Sequence, residues 1–205
     1  MLTLYYSPGA CSLAAHIALL ENNLQYSLKK VDLGTHKTED KIDLMSINPK
    51  GYVPVLQIDN KQTLTEGAAI LFYITEQGIS TNTALKSDPF ARYRLQEWLT
   101  FVSSELHKTL GAFFDKQLPA EYKVRLREKL QKRFNFLETT LGTAPYLCGD
   151  QFSAADAYCY TILNWMNMLE TGLSLSDWPK VSAYVGRIAN RPKVKQALTE
   201  EGMLK

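Results

Sequence analysis

Cys11 is the residue of this sequence whose position best suits chemistry. It follows an extended run that ends in the turn Ser7-Pro8-Gly9, and it is expected at the first turn of the next helix. Unpaired backbone N–H groups and the helix dipole stabilise an anion there, and they lower the pKa of a thiol from about 8.5 to roughly 3.5–7.5. The position favours a nucleophilic thiolate. The alternative is a small apolar side chain that faces a sheet.

No second thiol stands beside Cys11. The segment Cys11-Ser12-Leu13-Ala14 excludes a self-contained dithiol cycle, so an external thiol must be the partner in any covalent thiol chemistry. Cys148 and Cys159 lie in or beside apolar helical segments, where packing is the expected role. Three cysteines at these spacings do not resemble a disulfide framework, which indicates a reducing compartment.

Two histidines are candidate partners of that thiol. His16 lies five residues beyond Cys11, about 140° around a helix, and is therefore poorly placed to act as its base. His107 forms a stripe with Thr100, Ser104 and Gly111, opposite the apolar face of a long helix. Small polar residues around a histidine suit a cleft wall and suit an exposed face equally well, and their spacing does not separate the two.

Residues 1–80 alternate extended and helical patterns, which predicts a small α/β domain. Residues 78–88 are rich in turn-forming side chains and are expected to form a linker. The elements expected before that linker are a strand over Leu2–Tyr6, a helix over Ser12–Asn22, a weak strand over Tyr26–Val31, a helix over Thr38–Ile47, a hairpin with strands Val53–Ile58 and Thr63–Thr65 around a turn at residues 59–61, and a helix over Gly67–Gln77.

Residues 89–205 are helical in pattern throughout and predict an all-helical domain. Apolar side chains recur on one face of a long helix from Leu95 to Phe113. Ser153 and Asp156 have the spacing of a capping box, and Pro179 and Pro192 stand where further helices can begin.

Composition excludes several classes of protein. Apolar residues make up 45% of the chain and the net charge is +2, so no strong field favours a nucleic acid or a membrane surface. The longest apolar run, Leu13–Leu20, is far shorter than the ~20 residues that a membrane span needs. A signal peptide requires a basic residue near its start, and no basic residue precedes Lys29. A cytoplasmic location is therefore expected. No phosphate-binding glycine motif and no zinc spacing occurs, so no metal is expected.

Four segments, taken together, resemble the cytosolic glutathione transferases. The likeness runs from end to end and follows the same domain order. Cys11 together with Ser104–Lys108 is similar to the bacterial Beta class in particular. The segments are Leu4–Ser12, Ile47–Leu56, Leu64–Gly67 and Cys148–Ala157.

The resemblance implies a thioredoxin-like, glutathione-binding domain over residues 1–80 and an all-α domain over 89–205 that contributes the hydrophobic substrate site. It also implies a homodimer that conjugates glutathione to hydrophobic electrophiles and that reduces disulfides or peroxides through Cys11, which is expected to rest as a mixed disulfide with glutathione. Two alternatives stay open: a glutathione-dependent thiol-disulfide oxidoreductase, and a non-enzymatic regulator on the same fold.

The resemblance also assigns roles to residues. Cys11 and His107 are the implied catalytic residues, Val53 precedes a cis-proline turn that pairs with the cysteinyl part of glutathione, and Glu66 and Gly67 hold its γ-glutamyl end. The whole implied glutathione set is Cys11, His36, Val53, Glu66, Gly67, Thr100, Ser104, Glu105, His107 and Lys108.

Three members of this set depart from the family pattern, since relatives carry lysine, serine and asparagine where this chain has His36, Gly67 and Thr100. Tyr5 and Tyr6 are available as hydroxyl donors or as core residues. The electrophile pocket is expected around Phe113-Phe114, the Tyr158–Met168 helix and the C-terminal tail.

Overall fold

The computed structural model describes residues 1–59, 62–78, 88 and 90–204, which group into two compact units. The first comprises Met1–Pro89 with Arg191–Lys205, and the second comprises Phe90–Asn190. The predicted domain limits, 1–80 and 89–205, differ from these units in the placement of the last residues. Arg191 explains the difference, because its guanidinium binds both carboxylate oxygens of Glu21 at 2.7 and 2.8 Å and so attaches the C-terminal helix to the first unit.

The described part of the first unit contains a mixed five-stranded sheet in the order β3-β2-β1-β4-β5. Strand β1 pairs in parallel with β2 and antiparallel with β4, and β4 pairs antiparallel with β5. Residues 60 and 61 of the predicted hairpin turn lie outside the described residues. The strands are β1 (Leu2–Tyr6), β2 (Tyr26–Asp32), β3 (Lys37–Thr38), β4 (Val55–Ile58) and β5 (Gln62–Thr65).

The described residues of the first unit also form three helices: α1 (Leu13–Glu21), α2 (Gly67–Gln77) and, numbered in chain order, α8 (Pro192–Glu200). Every residue of α1 from Leu13 to Leu20 is buried, because the helix contacts α2, α8 and the sheet. A helix that is apolar on all sides is stable only when it is covered in this way.

The predicted helix over Thr38–Ile47 is wrong. Only one 3₁₀ turn, Leu44–Ser46, forms there. The Thr38 hydroxyl accepts the Ile42 N–H at 2.9 Å, Asp43 accepts the Met45 N–H at 2.9 Å, and Lys41 has φ +63°. Side chains that bond nearby backbone groups in this way compete with a helix.

The second unit is helical in its described residues, as predicted. The predicted apolar face is buried at all seven positions: Leu95, Trp98, Leu99, Val102, Leu106, Leu110 and Phe113. The elements are α3 (Ala91–Phe101), a π-helical turn (Val102–His107), α4 (Lys108–Gly111), α5 (Ala120–Thr140), α6 (Ala154–Asn164) and α7 (Pro179–Ala189), with 3₁₀ turns over Ala112–Phe114, Trp165–Asn167 and Leu175–Asp177. The predicted linker at 78–88 lies outside the described residues, apart from its two ends.

Local helix signals are confirmed at three places. Ser153 and Asp156 form the predicted capping box at the start of α6. Pro179 and Pro192 are the first residues of α7 and α8. Among the residues that the structure describes, no helix combines the length and the apolar character needed to cross a membrane.

Candidate functional site

Cys11 lies in the turn between β1 and α1, two residues before the helix begins and not within its first turn as predicted. The side chain is half-buried, and its thiol donates to the Val53 carbonyl oxygen, with Sγ 3.3 Å away. The Ser12 hydroxyl fixes the turn by accepting the Ser7 N–H at 3.1 Å and donating to the Ser7 carbonyl at 3.2 Å. The candidate nucleophile is thus held on a tight turn that follows β1, the central strand of the sheet.

The Val53–Pro54 peptide bond is cis, as the resemblance implied. It immediately precedes β4, which pairs with β1, and this pairing brings Val53 beside the turn that carries Cys11. Val53 is buried, yet its carbonyl reaches the Cys11 thiol. Two predicted site residues that stand forty-two positions apart are therefore neighbours.

A buried network also fixes the turn before Cys11. The Gly9 N–H donates to Glu201 Oε2 at 2.9 Å, and Glu201 Oε1 lies 3.0 Å from His16 Nδ1. His16 Nε2 lies 2.8 Å from Glu200 Oε2. His16 is fully buried in this network, in agreement with the expectation that it does not serve Cys11 as a base. Sequence reasoning missed Glu201, since nothing local marks a contact across 192 positions.

Glu66 stands at the N-cap of α2 with φ +72°, and its side chain makes no capping bond to the helix. Glu66 Oε1 instead accepts from Lys50 Nζ at 2.5 Å and from the Tyr52 hydroxyl at 2.7 Å. The hydrogen bond to Glu66 raises the pKa of Tyr52. Lys50 and Tyr52 belong to the segment that carried the resemblance, but their role in orienting Glu66 was not predicted. Gly67 begins α2, so its N–H stands at the positive end of that helix.

His36 is exposed on the loop after β2, with φ +55°. Its Nδ1 lies 2.9 Å from the Gly51 carbonyl oxygen. Tyr5 and Tyr6, for which the sequence left a donor role and a core role open, are both buried, and the Tyr5 hydroxyl donates to Gln57 at 3.4 Å. The two tyrosines are core residues of the first unit.

In the second unit, His107 ends the π-helical turn and is half-buried, so the exposed-face alternative is removed. Its Nδ1 lies 2.6 Å from the Tyr158 hydroxyl oxygen, and its ring meets the Trp165 ring edge-on at 5.1 Å between centroids. Burial, with a smaller contribution from Lys108, lowers the pKa of His107 to about 4. His107 is therefore a neutral imidazole at neutral pH.

The other predicted residues of this helical run have local partners. The Thr100 hydroxyl donates to the Gln96 carbonyl at 2.8 Å, and the Ser104 hydroxyl donates to the Thr100 carbonyl at 2.9 Å. Glu105 accepts from Arg133 at 2.7 Å, and this bond lowers the pKa of Glu105. Lys108 is exposed.

A cavity of about 430 Å³ opens in the second unit, where the sequence predicted the electrophile pocket. Aromatic and aliphatic side chains form its apolar part, and charged side chains form its rim. The C-terminal tail is absent from the residues that line it, so the predicted role of the tail stays a prediction. The lining residues are Phe113, Phe114, Asp115, Lys116, Lys123, Met168, Leu169 and Glu170.

The surroundings of the two remaining cysteines disfavour the thiolate form. Burial raises the pKa of Cys148 to about 12, and burial also raises the pKa of Cys159. Cys159 is wholly buried in α6, and the Ser153 hydroxyl lies 3.5 Å from Cys148 Sγ. Across residues 1–59, 62–78, 88 and 90–204, no group of three metal-binding side chains is found.

Comparison with known proteins gives concordant matches over both units. The family model for the glutathione S-transferase N-terminal domain matches residues 1–76, and that for the C-terminal domain matches residues 93–192. The chain is 37% identical over 200 residues to glutathione S-transferase GstA of Escherichia coli O157:H7, which covers 98% of each chain.

Solved structures agree with these matches. A sphingomonad glutathione S-transferase in complex with glutathione has a TM-score of 0.91 and 39% identity, covering 98% of this chain and 99% of that one. A bacterial beta class glutathione S-transferase from Sphingomonas chungbukensis has a TM-score of 0.90 and 39% identity, covering 98% of this chain and all of that one.

Proposed function

Because the chain belongs to the glutathione S-transferase family, we propose that it conjugates glutathione to hydrophobic electrophiles. Membership confirms the resemblance seen in the sequence, and the first unit offers the elements that such a reaction needs. In the conjugation, the glutathione thiolate attacks an electrophilic carbon. A carbon–sulfur bond forms as the bond to the leaving group breaks, and the thiol proton passes to water.

The observation that carries this proposal is the contact between the Cys11 thiol and the Val53 carbonyl, 3.3 Å long. The contact places the Cys11 sulfur beside the backbone that precedes β4, which supports the assignment of the glutathione thiol to this place. The cysteinyl part of glutathione is a short peptide, and its main chain can pair with Val53 as an added strand does. The glutathione sulfur is then directed to the turn that carries Cys11.

The γ-glutamyl end of glutathione is assigned to the start of α2. Its ammonium group suits the Glu66 carboxylate, which Lys50 and Tyr52 hold in place. Its carboxylate suits the N–H of Gly67, because the first N–H groups of a helix attract anions. The backbone N–H is retained although Gly67 lacks the hydroxyl found in relatives.

The remaining members of the predicted set keep the roles that the resemblance implies, as part of this proposal. His107 and Lys108 are assigned to the thiol and glycyl ends of glutathione, and Ser104 and Glu105 are assigned to positions that reach glutathione around the dimer interface. His36 and Thr100 belong to the same glutathione-binding set.

The electrophile is assigned to the cavity around Phe113 and Phe114. Its volume of about 430 Å³ falls within the range of ~300–1,000 Å³ that is usual for small-molecule sites. Apolar side chains such as Met168 and Leu169 supply area that an aromatic electrophile can bury. No metal enters the proposed reaction.

A homodimer in the cytoplasm is the proposed state of the enzyme. Phe90 and Tyr93, at the start of α3, are 60% and 66% exposed. Phe136 is 48% exposed and stacks on Trp98 with 5.8 Å between ring centroids. Aromatic surface of this kind on one unit is suited to burial against a second copy.

A second candidate function is reduction of glutathione mixed disulfides, favoured by the partial exposure of Cys11. Here the Cys11 thiolate attacks the glutathione sulfur of the mixed disulfide and expels the other thiolate. A free glutathione thiolate then attacks the Cys11–glutathione disulfide, which releases oxidised glutathione and restores the Cys11 thiolate.

One experiment tests the first function and separates it from the second. Conjugation of 1-chloro-2,4-dinitrobenzene and reduction of a glutathione mixed disulfide are measured for the wild type and for Cys11→Ser, with Cys159→Ser as the matched control. We expect saturable conjugation by the wild type, partial loss of conjugation in Cys11→Ser, and nearly complete loss of disulfide reduction. A conjugation rate no higher than the uncatalysed rate would refute the transferase proposal.

A further inference from the structure

The end of the C-terminal helix α8 packs against the turn that carries Cys11, and both belong to the first unit. The Gly9 N–H donates to Glu201 Oε2 at 2.9 Å. Gly9 has φ +69°, and a Cβ atom added there would lie 2.9 Å from Met203 Cε. One hydrogen bond and one closely packed side chain therefore hold the turn from outside, in addition to the bonds that Ser12 makes within it.

Glu201 is an unusual residue for its place in the fold. Its side chain has no exposed surface, and burial of a carboxyl group is costly unless polar partners replace water. It directly follows α8, whose last residue, Glu200, is also acidic, although the dipole at the C-terminal end of a helix favours cations. Departures of this kind from local preference are expected mainly at functional or strained sites. The partners that explain Glu201 lie outside α8: the Gly9 N–H, and the His16 ring, whose Nδ1 is 3.0 Å from Oε1.

The position of the Cys11 thiol depends on this turn. Cys11 follows Gly9 by two residues, and its thiol donates to the Val53 carbonyl oxygen, with Sγ 3.3 Å away. Rotation of the Gly9 peptide would therefore move the thiol away from Val53. Because the main chain of glutathione is proposed to pair with Val53, the same rotation would also move the thiol away from the glutathione sulfur. The restraint that Glu201 places on Gly9 thus bears directly on the reaction of Cys11.

We propose that Glu201 is a positioning residue, which holds the turn so that Cys11 reacts with a glutathione disulfide in preference to other disulfides. The proposal rests on the proposed binding of glutathione along Val53. In the reaction, the Cys11 thiolate attacks one sulfur of oxidised glutathione. The Cys11–glutathione disulfide forms as the sulfur–sulfur bond of oxidised glutathione breaks, and a glutathione thiolate leaves with the electron pair. Misplacement of a reacting atom by ~1 Å can lower such a rate by about 100-fold.

Two conservative variants separate the reach of the Glu201 side chain from its charge. Glu201→Asp keeps the carboxyl group but shortens the side chain by one carbon–carbon bond, ~1.5 Å, which takes its oxygens beyond hydrogen-bond distance of Gly9. Glu201→Gln keeps the length and one oxygen acceptor. Glu200→Asp is the matched control, because it makes the same change one position earlier, where the carboxyl group contacts His16 and Tyr26.

Hydrogen exchange at the Gly9 amide, followed by nuclear magnetic resonance, tests the restraint without any reaction. In Glu201→Asp this amide should exchange about tenfold or more faster than in the wild type, because it loses its acceptor. The Gly51 amide donates to the Asn48 carbonyl at 2.8 Å in the same unit and should exchange as in the wild type. Glu201→Gln and Glu200→Asp should stay within about threefold of the wild type at Gly9. Unchanged exchange at Gly9 in Glu201→Asp, equal acceleration at Gly51, or acceleration in Glu201→Gln equal to that in Glu201→Asp would overturn the proposal.

The reaction rates of Cys11 supply the functional readout. Peptide mass spectrometry follows mixed-disulfide formation at Cys11 with oxidised glutathione and with 2-hydroxyethyl disulfide, which undergoes the same exchange but has no peptide to pair with Val53. The wild type, Glu201→Gln and Glu200→Asp should prefer oxidised glutathione, and the preference should fall by about tenfold or more in Glu201→Asp. An unchanged preference in Glu201→Asp would overturn the positioning role. A wild type without any preference would refute the proposed glutathione site and the selectivity with it, whereas the exchange at Gly9 decides separately whether Glu201 holds the turn.

Discussion

Replacing Asp156 with alanine should destabilise the second unit strongly, because one carboxylate organises three parts of it. Oδ1 accepts the Leu147 N–H at 2.8 Å and the Tyr184 hydroxyl at 2.9 Å. Oδ2 accepts the Ser153 N–H at 2.8 Å and the Ser153 hydroxyl at 2.7 Å. The side chain is wholly buried, so water cannot replace these bonds.

The size of the effect follows from the groups left without an acceptor. A buried donor that loses its partner costs about 1–3 kcal/mol, and loss of an N-cap bond costs about 1 kcal/mol. Burial raises the pKa of Asp156, which shows that the carboxylate is itself penalised for losing water, and alanine removes that penalty. We expect the free energy of unfolding to fall by about 3–5 kcal/mol in Asp156→Ala.

Urea unfolding followed by tryptophan fluorescence measures this effect where it occurs. All three tryptophans, Trp98, Trp165 and Trp178, lie in the second unit. Asp156→Asn keeps one carbonyl acceptor and should lose about 1–3 kcal/mol, and the exposed Asp150→Ala should change stability by less than about 0.5 kcal/mol. A loss below about 1 kcal/mol in Asp156→Ala would refute the reasoning.

The pKa of His107 is about 4 in the folded chain and about 6.5 in the unfolded chain, so the unfolded chain takes up this proton first as pH falls. The free energy of unfolding should therefore decline by roughly 3 kcal/mol between pH 6.5 and pH 4. Urea titrations across that range should show the decline in the wild type and a shallower one in His107→Gln, and equal slopes would contradict this. Iodoacetamide at neutral pH should label Cys11 before Cys148 and Cys159, because burial raises the pKa of the last two thiols. Peptide mapping that finds Cys148 labelled as fast as Cys11 would contradict the assignment. Light scattering at micromolar concentration should give twice the mass of one chain, and a monomer would refute the proposed dimer.

Elements with a strong local pattern could be predicted from the sequence. The strand Leu2–Tyr6 and the helix Gly67–Gln77 have the predicted limits, because alternation of β-rich residues and a glycine stop are local signals. The capping box at Ser153 and the proline helix starts depend likewise on neighbouring residues. The helix expected over Thr38–Ile47 is wrong because the side chains of Thr38 and Asp43 bond nearby backbone N–H groups.

The parts of the candidate site that escaped prediction depend on contacts between distant residues. The bond from Gly9 to Glu201 and the bond between His107 and Tyr158 join elements that are adjacent only after folding. Lys50 illustrates a milder case, since it stands in a recognised motif but its ion pair with Glu66 depends on how the turn before β4 is oriented. The spacing along one helix likewise does not decide whether His107 lines a cleft or lies on an exposed face.

Calorimetric titration with glutathione tests the central claim, that the first unit holds the tripeptide through Glu66 and its neighbours. The wild type should bind one glutathione per chain. Glu66→Gln should bind about tenfold or more weakly, because a hydrogen bond to a charged group contributes about 1.5–3 kcal/mol. The exposed Glu121→Gln should bind as the wild type does. Absence of binding by the wild type, or equal affinity in Glu66→Gln, would contradict the account.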